Sequence, residues 1–262
     1  MIDIRGRFCY NTVIKIYIIG GKIMDTIKIN RRNTLMVAHR GLSGLERENT
    51  CAAFIAAGNR DYFGIETDVR KAGDGSLILL HDGSTKRVSS TLIKMSEHNL
   101  DEIRAVELNE FNDQPAAHLR IPTLEEYLYI CEKYEKKCVL EFKNNFEKED
   151  LLRILEAVNK YTSLENMVFI SFRYEVLTRL RELCPKARIQ FLCECEVNDE
   201  LVEKLKAYSM ELDINHNWLT KENIQFLHDN GITVNCWTVN DPARGEELCE
   251  WGVDIITTNI LQ

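Results

Sequence analysis

From residue 35 onward the chain alternates between two hydrophobic patterns. Short runs rich in Val, Ile, Leu, Phe and Met, at 35–39, 65–69, 138–142, 167–171, 188–192, 212–215, 232–237 and 253–257, predict buried strands. Between them, at 49–58, 124–133, 148–160, 174–183, 199–208, 220–230 and 242–251, apolar residues recur at three- and four-residue steps, as in Leu151, Ile154, Leu155 and Val158. That spacing puts one apolar stripe on a helix. Strand–helix alternation predicts βαβ units and a parallel sheet. Eight strands is the count that closes into a (β/α)8 TIM-type barrel of class α/β.

Two segments break the alternation. The run 76–80 follows 65–69 after Gly73-Asp74-Gly75, a turn signal that leaves no room for a helix. A hairpin folding back near Asp74 puts Leu80 and His81 opposite Asp68 and Thr67; if 76–80 were a barrel strand instead, 212–215 would drop out. Residues 83–121 form a long polar insertion with one helical piece near 99–106. It ends at Ile121-Pro122-Thr123, where Thr123 and Glu126 spell a capping box. Insertions of this length in a barrel usually shape or cover a site.

Length and composition suit one barrel: 262 residues and 45% hydrophobic, against about 250 for such folds. The expected division is an extension at 1–34 and a barrel domain at 35–262. Residues 8–20 are mostly apolar, but Lys15 interrupts a run too short to span a bilayer, so no stable membrane insertion is expected. Gly20-Gly21-Lys22-Ile23-Met24 is what a purine-rich ribosome-binding site spells when translated in frame, which makes Met24 the expected start. A net charge of −8 repels phosphate backbones and argues against nucleic acid as a partner. Nine cysteines, an odd number scattered through strands and helices, fit reduced thiols and a cytoplasmic protein. The Cys193-x-Cys195 pair has no second pair at zinc-site spacing and reads as structural.

The candidate chemistry gathers at the carboxyl ends of the strands, where barrel active sites lie. The first strand ends in His39-Arg40-Gly41. Glu66 and Asp68, two apart, share one face of the second. The hairpin ends in His81-Asp82, and Glu141 and Lys143 share a face at the end of the third strand. Three converging carboxylates would repel one another without a cation, and an oxygen-liganding divalent ion, Mg²⁺ or Ca²⁺, removes the conflict. Arg40 and Lys143 offer fixed charge for a phosphate, and the two histidines can exchange protons near neutral pH. His98, His118, His216 and His228 lie away from this end and read as structural.

These residues sit in motifs that resemble the glycerophosphodiester phosphodiesterases in order and spacing. The motifs are V-A-H-R-G at 37–41, E-N-T at 48–50, G-I-E-T-D-V at 64–69, H-D at 81–82 with Arg87, I-P-T-L-E-E at 121–126, L-E-F-K at 140–143, S-F at 171–172, W-T-V-N at 237–240 and G-V-D-I-I-T-T at 252–258. The resemblance implies metal-dependent hydrolysis of a small glycerophosphodiester to an alcohol and glycerol 3-phosphate. It implies a catalytic pair His39 and His81, with His39 as base and His81 as leaving-group acid. It also implies metal ligands Glu66, Asp68 and Glu141, a phosphate clamp of Arg40 and Lys143, and aromatic walls Trp237 and Phe172. The nucleophile, a glycerol hydroxyl or a water, and the head group stay open. E-N-T is expected to be mainly structural, with Asn49 or Thr50 capping a helix. Arg47 stands where the family usually has Pro, and the segment after Arg87 lacks the usual turn-rich pattern. Two other readings are a lysophospholipase D-like enzyme, which a hydrophobic rim on the insertion would favour, and a binding protein that has lost turnover.

Overall fold

The computed structural model describes residues 25–262 and the backbone of Ile18–Ile19 and Lys22–Ile23, which pair antiparallel. The expected start at Met24 and the apolar run at 8–20 fall largely outside the described residues. Eight parallel strands form a closed ring: β1 (Leu35–Ala38), β2 (Gly64–Lys71), β3 (Lys137–Phe142), β4 (Met167–Ser171), β5 (Ile189–Cys193), β6 (Glu211–Asn215), β7 (Val234–Trp237) and β8 (Ile255–Thr258). Each pairs with the next, and β8 closes onto β1 with Ile256 opposite Met36. Around them run α1 (Cys51–Gly58), α2 (Leu124–Lys133), α3 (Lys148–Tyr161), α4 (Tyr174–Leu183), α5 (Asp199–Ala207), α6 (Lys221–Asp229) and α7 (Pro242–Trp251). The architecture is the expected (β/α)8 barrel. Among the described residues no helix is long and apolar enough to cross a membrane.

Alternation along each strand divides the interior into two layers. Outward residues such as Leu140, Phe169 and Leu212 pack beneath the helices, while Val37, Val139, Val168, Ile170, Leu192 and Ile255 fill the barrel. A polar chain crosses the interior among them: Arg188 donates to Glu211, Gln190 donates to Glu211, Asn235 donates to Gln190, and Thr257 donates to Asn235. Each member of that chain has a partner, which burial requires.

Leu77–Leu79 is a hairpin strand, antiparallel to β2, with Val69 opposite Leu79. Leu80 N–H donates to the Asp68 carbonyl at 3.0 Å, so the hairpin carries His81 beside the acidic end of β2. Glu211–Asn215 remains a barrel strand. The insertion holds the helix Leu100–Ala105, capped by Asn99, and the strand pair Leu108–Asn109 and Pro115–Ala116. Its Val88, Met95, Ile103, Leu108, Leu119 and Ile121 form a small second core with Ile78 and Leu80 of the hairpin. Thr123 and Glu126 make both bonds of the capping box at the start of α2.

Candidate active site

The site begins at a sharp turn after β1. Arg40 and Gly41 both take positive φ, 53° and 74°. A Cβ on Gly41 would lie 2.6 Å from the Ala53 backbone, so the tight pass over α1 requires glycine. The turn throws His39 and Arg40 over the end of β2. There Glu66 Oε2 accepts from the Arg40 backbone N–H at 2.7 Å, and His39 Nε2 stands 3.9 Å from the same oxygen. His39 Nδ1 lies 2.7 Å from Asn259 Oδ1, which fixes the hydrogen on Nδ1 and leaves a lone pair on Nε2.

Glu66, Asp68 and Glu141 are all buried, and Asp68 is directly opposite Glu141 in the β2–β3 register. Their ligand oxygens lie within 4.8 Å of one another. Among the described residues this is the only such convergence of three or more His, Cys, Asp or Glu side chains, and the Cys193-x-Cys195 pair forms none. Glu66 Oε1 and Asp68 Oδ1 are buried without a hydrogen-bond partner. Buried acidic oxygens without hydrogen bonds, in a cluster this tight, are what a divalent cation would satisfy.

Electrostatics agree with the geometry. Burial, then the charges of Asp68 and Glu141, push the Glu66 carboxyl well above its usual range. Burial and Asp68 push Glu141 up to about 7. Burial also opposes ionisation of Asp68, but Arg40 and Lys143 outweigh it and hold the group at about 2. Arg40 Nε is 3.4 Å from Asp68, and Lys143 Nζ is 2.8 Å from Glu141 and 3.5 Å from Asp68. Burial and the Arg40 charge pull His39 down to about 4. Burial, followed by the charges of Arg40 and Lys143, also lowers His81, against the pull of Asp68.

His81 Nδ1 lies 2.9 Å from Asp82 Oδ1, and Arg87 donates to Asp82 Oδ2 at 2.8 Å. Arg87 also holds Glu48 through both terminal nitrogens, and Glu48 accepts from Arg40 at 2.9 Å. A continuous ion-pair chain thus runs from the insertion to the turn after β1. Phe172, after β4, meets Trp237, at the end of β7, edge to face at 5.5 Å. Trp237 Nε1 donates to the Asp213 carbonyl.

The helix cap expected of E-N-T is present, and the motif also reaches the site. Thr50 caps α1, but Asn49, at φ 51°, is buried and donates to Asp68 Oδ2 at 2.7 Å while accepting from Thr67 Oγ1 at 2.7 Å. Asn49 therefore reaches the acidic cluster and Glu48 holds Arg40 and Arg87 beside it, roles that the motif's position before α1 does not reveal. Asn259 and Asp213 were also missed, and no local pattern marks either. Arg47, the departure from the family's Pro, donates to the Asn109 and Glu110 carbonyls and lies over the Phe111 ring, pinning the insertion. The remaining histidines take other partners: His98 meets the Lys94 carbonyl, His118 pairs with Glu110, His216 accepts from Arg244, and His228 pairs with Asp254.

Fold and site together define a barrel enzyme with an acidic, cation-ready mouth flanked by histidines and fixed positive charge. Residues 39–261 match the model of the glycerophosphoryl diester phosphodiesterase family, and the chain belongs to that family as a phosphoric diester hydrolase. It is similar to the glycerophosphodiester phosphodiesterase of Bacillus subtilis, 28% identical over 86% of this chain and 83% of that one. It is also similar to the enzyme of that name from Caldanaerobacter subterraneus, 27% identical over 86% and 94%. Its fold matches an Oleispira antarctica phosphodiesterase with TM-score 0.79 and 23% identity, covering 89% of this chain and 96% of that one.

Proposed function

We propose that this mouth hydrolyses a glycerophosphodiester to an alcohol and glycerol 3-phosphate, with one divalent cation, Mg²⁺ or Ca²⁺, held by Glu66, Asp68 and Glu141. The observation that carries the reading is the pair of orphaned oxygens, Glu66 Oε1 and Asp68 Oδ1, set beside two histidines that each spend Nδ1 on a side-chain oxygen. The cation, when bound, neutralises charge on the phosphate. Arg40 and Lys143 hold the phosphate oxygens and stabilise the added charge of the transition state. His39, drawn down to about 4, is neutral near pH 7, and its Nε2 takes the proton from the attacking hydroxyl or water. His81 gives a proton from Nε2 to the departing alcohol; Asp68 and the Asp82 bond to Nδ1 favour the charged ring this step needs, against burial and the charges of Arg40 and Lys143. Phe172 and Trp237 form an apolar wall for the organic part of the substrate.

The test is glycerol 3-phosphate release from a panel of glycerophosphodiesters with Mg²⁺, Ca²⁺ or EDTA. Release that EDTA abolishes is the expected result, and release unaffected by EDTA would overturn the metal reading. His39→Ala should lower turnover by roughly 10²-fold or more while leaving cation binding, read by calorimetry, unchanged. Lysophospholipid hydrolysis is a second reading. One observation favours it: Leu92 and Phe111 in the insertion, with Phe172 and Trp218 after β4 and β6, expose much of their apolar surface. Faster turnover of detergent-dispersed lysolipid than of any water-soluble diester would select it.

A further inference from the structure

We propose that Arg87 is a positioning residue for the departing alcohol: it clamps Asp82 so that His81 presents Nε2 to the leaving oxygen. This role rests on the reading of His81 as the leaving-group acid. The main chain of His81 is fixed first, because Arg70 Nε donates to the Leu80 and His81 carbonyls, each at 3.0 Å. That leaves the ring to be aimed. His81 Nδ1 lies 2.9 Å from Asp82 Oδ1, but Asp82 is the very next residue, in a bend, with 35% of its side chain exposed. A carboxylate so placed can orient the ring only if it is itself held. Arg87 Nε donates to Asp82 Oδ2 at 2.8 Å, so one carboxylate oxygen is pinned while the other faces His81.

Arg87 is braced at both ends. Its terminal nitrogens grip the two oxygens of Glu48 at 2.6 and 2.8 Å, the paired contact that a planar guanidinium makes best. Its main chain lies in a turn where the Val88 and Ser89 N–H groups both donate to the Thr85 carbonyl at 2.9 Å, and Val88 is buried in the second core. Two arms therefore leave Arg87, one through Asp82 to His81 and one through Glu48 to Arg40. The arms have different chemical consequences. Arg40 keeps Asp68 at 3.4 Å and Glu48 at 2.9 Å whatever Arg87 does, whereas Asp82 Oδ2 takes its bond from Arg87. As the bond from phosphorus to the leaving oxygen breaks, the electron pair stays on that oxygen, which takes the His81 Nε2 proton and leaves the ring neutral. An aliphatic alcohol needs that proton to depart, while a nitrophenolate departs without it.

The experiment compares kcat/KM for the choline ester and the p-nitrophenyl ester of glycerol 3-phosphate, with MgCl₂ or CaCl₂ present. Both esters are measured on one preparation of the full chain for each variant, so any unfolded fraction cancels in the ratio. Arg87→Ala should lose about tenfold or more on the choline ester and less than about threefold on the p-nitrophenyl ester, a share of the roughly 10²–10⁴-fold that a positioned acid supplies. Asp82→Asn should show the same selective loss, and the double variant should lose little more than Asp82→Asn alone, as expected of two residues acting in one line. Because the Arg87 side chain is 45% exposed, guanidinium ion below denaturing concentration should restore part of the choline-ester rate in Arg87→Ala and none in His81→Ala. Equal losses on the two esters in Arg87→Ala, with a selective loss in His81→Ala, overturn the proposal and route Arg87 through Glu48 and Arg40. Equal losses in His81→Ala, or no wild-type turnover of either ester with either salt, would instead remove the acid assignment, and this inference with it.

Discussion

A single buried side chain shows how the barrel interior handles charge. Asp213 sits on β6, fully enclosed, with Oδ1 lacking any hydrogen-bond partner. Burial, followed by the charges of Glu141 and Glu211, pushes its carboxyl well above the usual range. The folded chain therefore holds a proton that the unfolded chain releases as pH rises past the ordinary aspartate value of 3.8. Stability is lost with rising pH across that window, because the native state binds more protons there than the unfolded state. Asp213→Asn, nearly isosteric and uncharged, should melt higher than the wild type at pH 7 to 8, by a few degrees per kcal/mol regained, about 2–4 °C for a chain of this size. The gap should close toward pH 4. A variant that melts lower than the wild type at pH 8 would mean that the carboxylate is ionised and satisfied in the fold.

At the level of elements, legibility tracked how local the cause was. The bounds of α2, α4, α7 and β4 match the hydrophobic pattern residue for residue, because each has a sharp local signal such as the Thr123 cap or Pro242 at the start of α7. The hairpin register that sets His81 against β2 could be read from one turn and the length of two runs. Contacts made across long sequence gaps could not: Asn259 holds His39 from 220 residues away, and Asn49 holds Asp68 from another element. The insertion lay between these extremes. Its helix and closing cap were readable, but the bonds that tie it to the barrel come from Arg47 and Arg87, whose partners no pattern announces. Arg47→Ala removes the backbone bonds to Asn109 and Glu110 together. It should raise the rate of limited proteolysis within 83–121 with little change in global melting, since local opening depends on few contacts. Equal cleavage rates in variant and wild type would show that the core it shares with the hairpin holds it without Arg47.

For the molecule as a whole, the acidic mouth makes stability a function of pH and cation together. Without metal, Glu66 and Glu141 keep their protons well above the ordinary glutamate value of 4.5, Glu141 up to about 7. In that window the folded chain binds more protons than the unfolded one, so the stripped protein weakens as pH climbs from about 5 to 8. Asp68 runs opposite: held at about 2, it contributes stability at every pH above its ordinary range and loses it only in strong acid. A bound cation displaces the shared protons, so its affinity falls as the solution becomes more acid. Because the ion binds the folded chain, it stabilises by RT ln(1 + [L]/Kd), about 2.7 kcal/mol at a hundred times Kd. The melting difference between excess Mg²⁺ and EDTA should therefore be small at pH 5.5 and widen steadily to pH 8. Titration at pH 6.5 in buffers of differing ionisation enthalpy should also show protons released with the metal. A melting difference independent of pH, with no proton release, would place the cation away from Glu66 and Glu141.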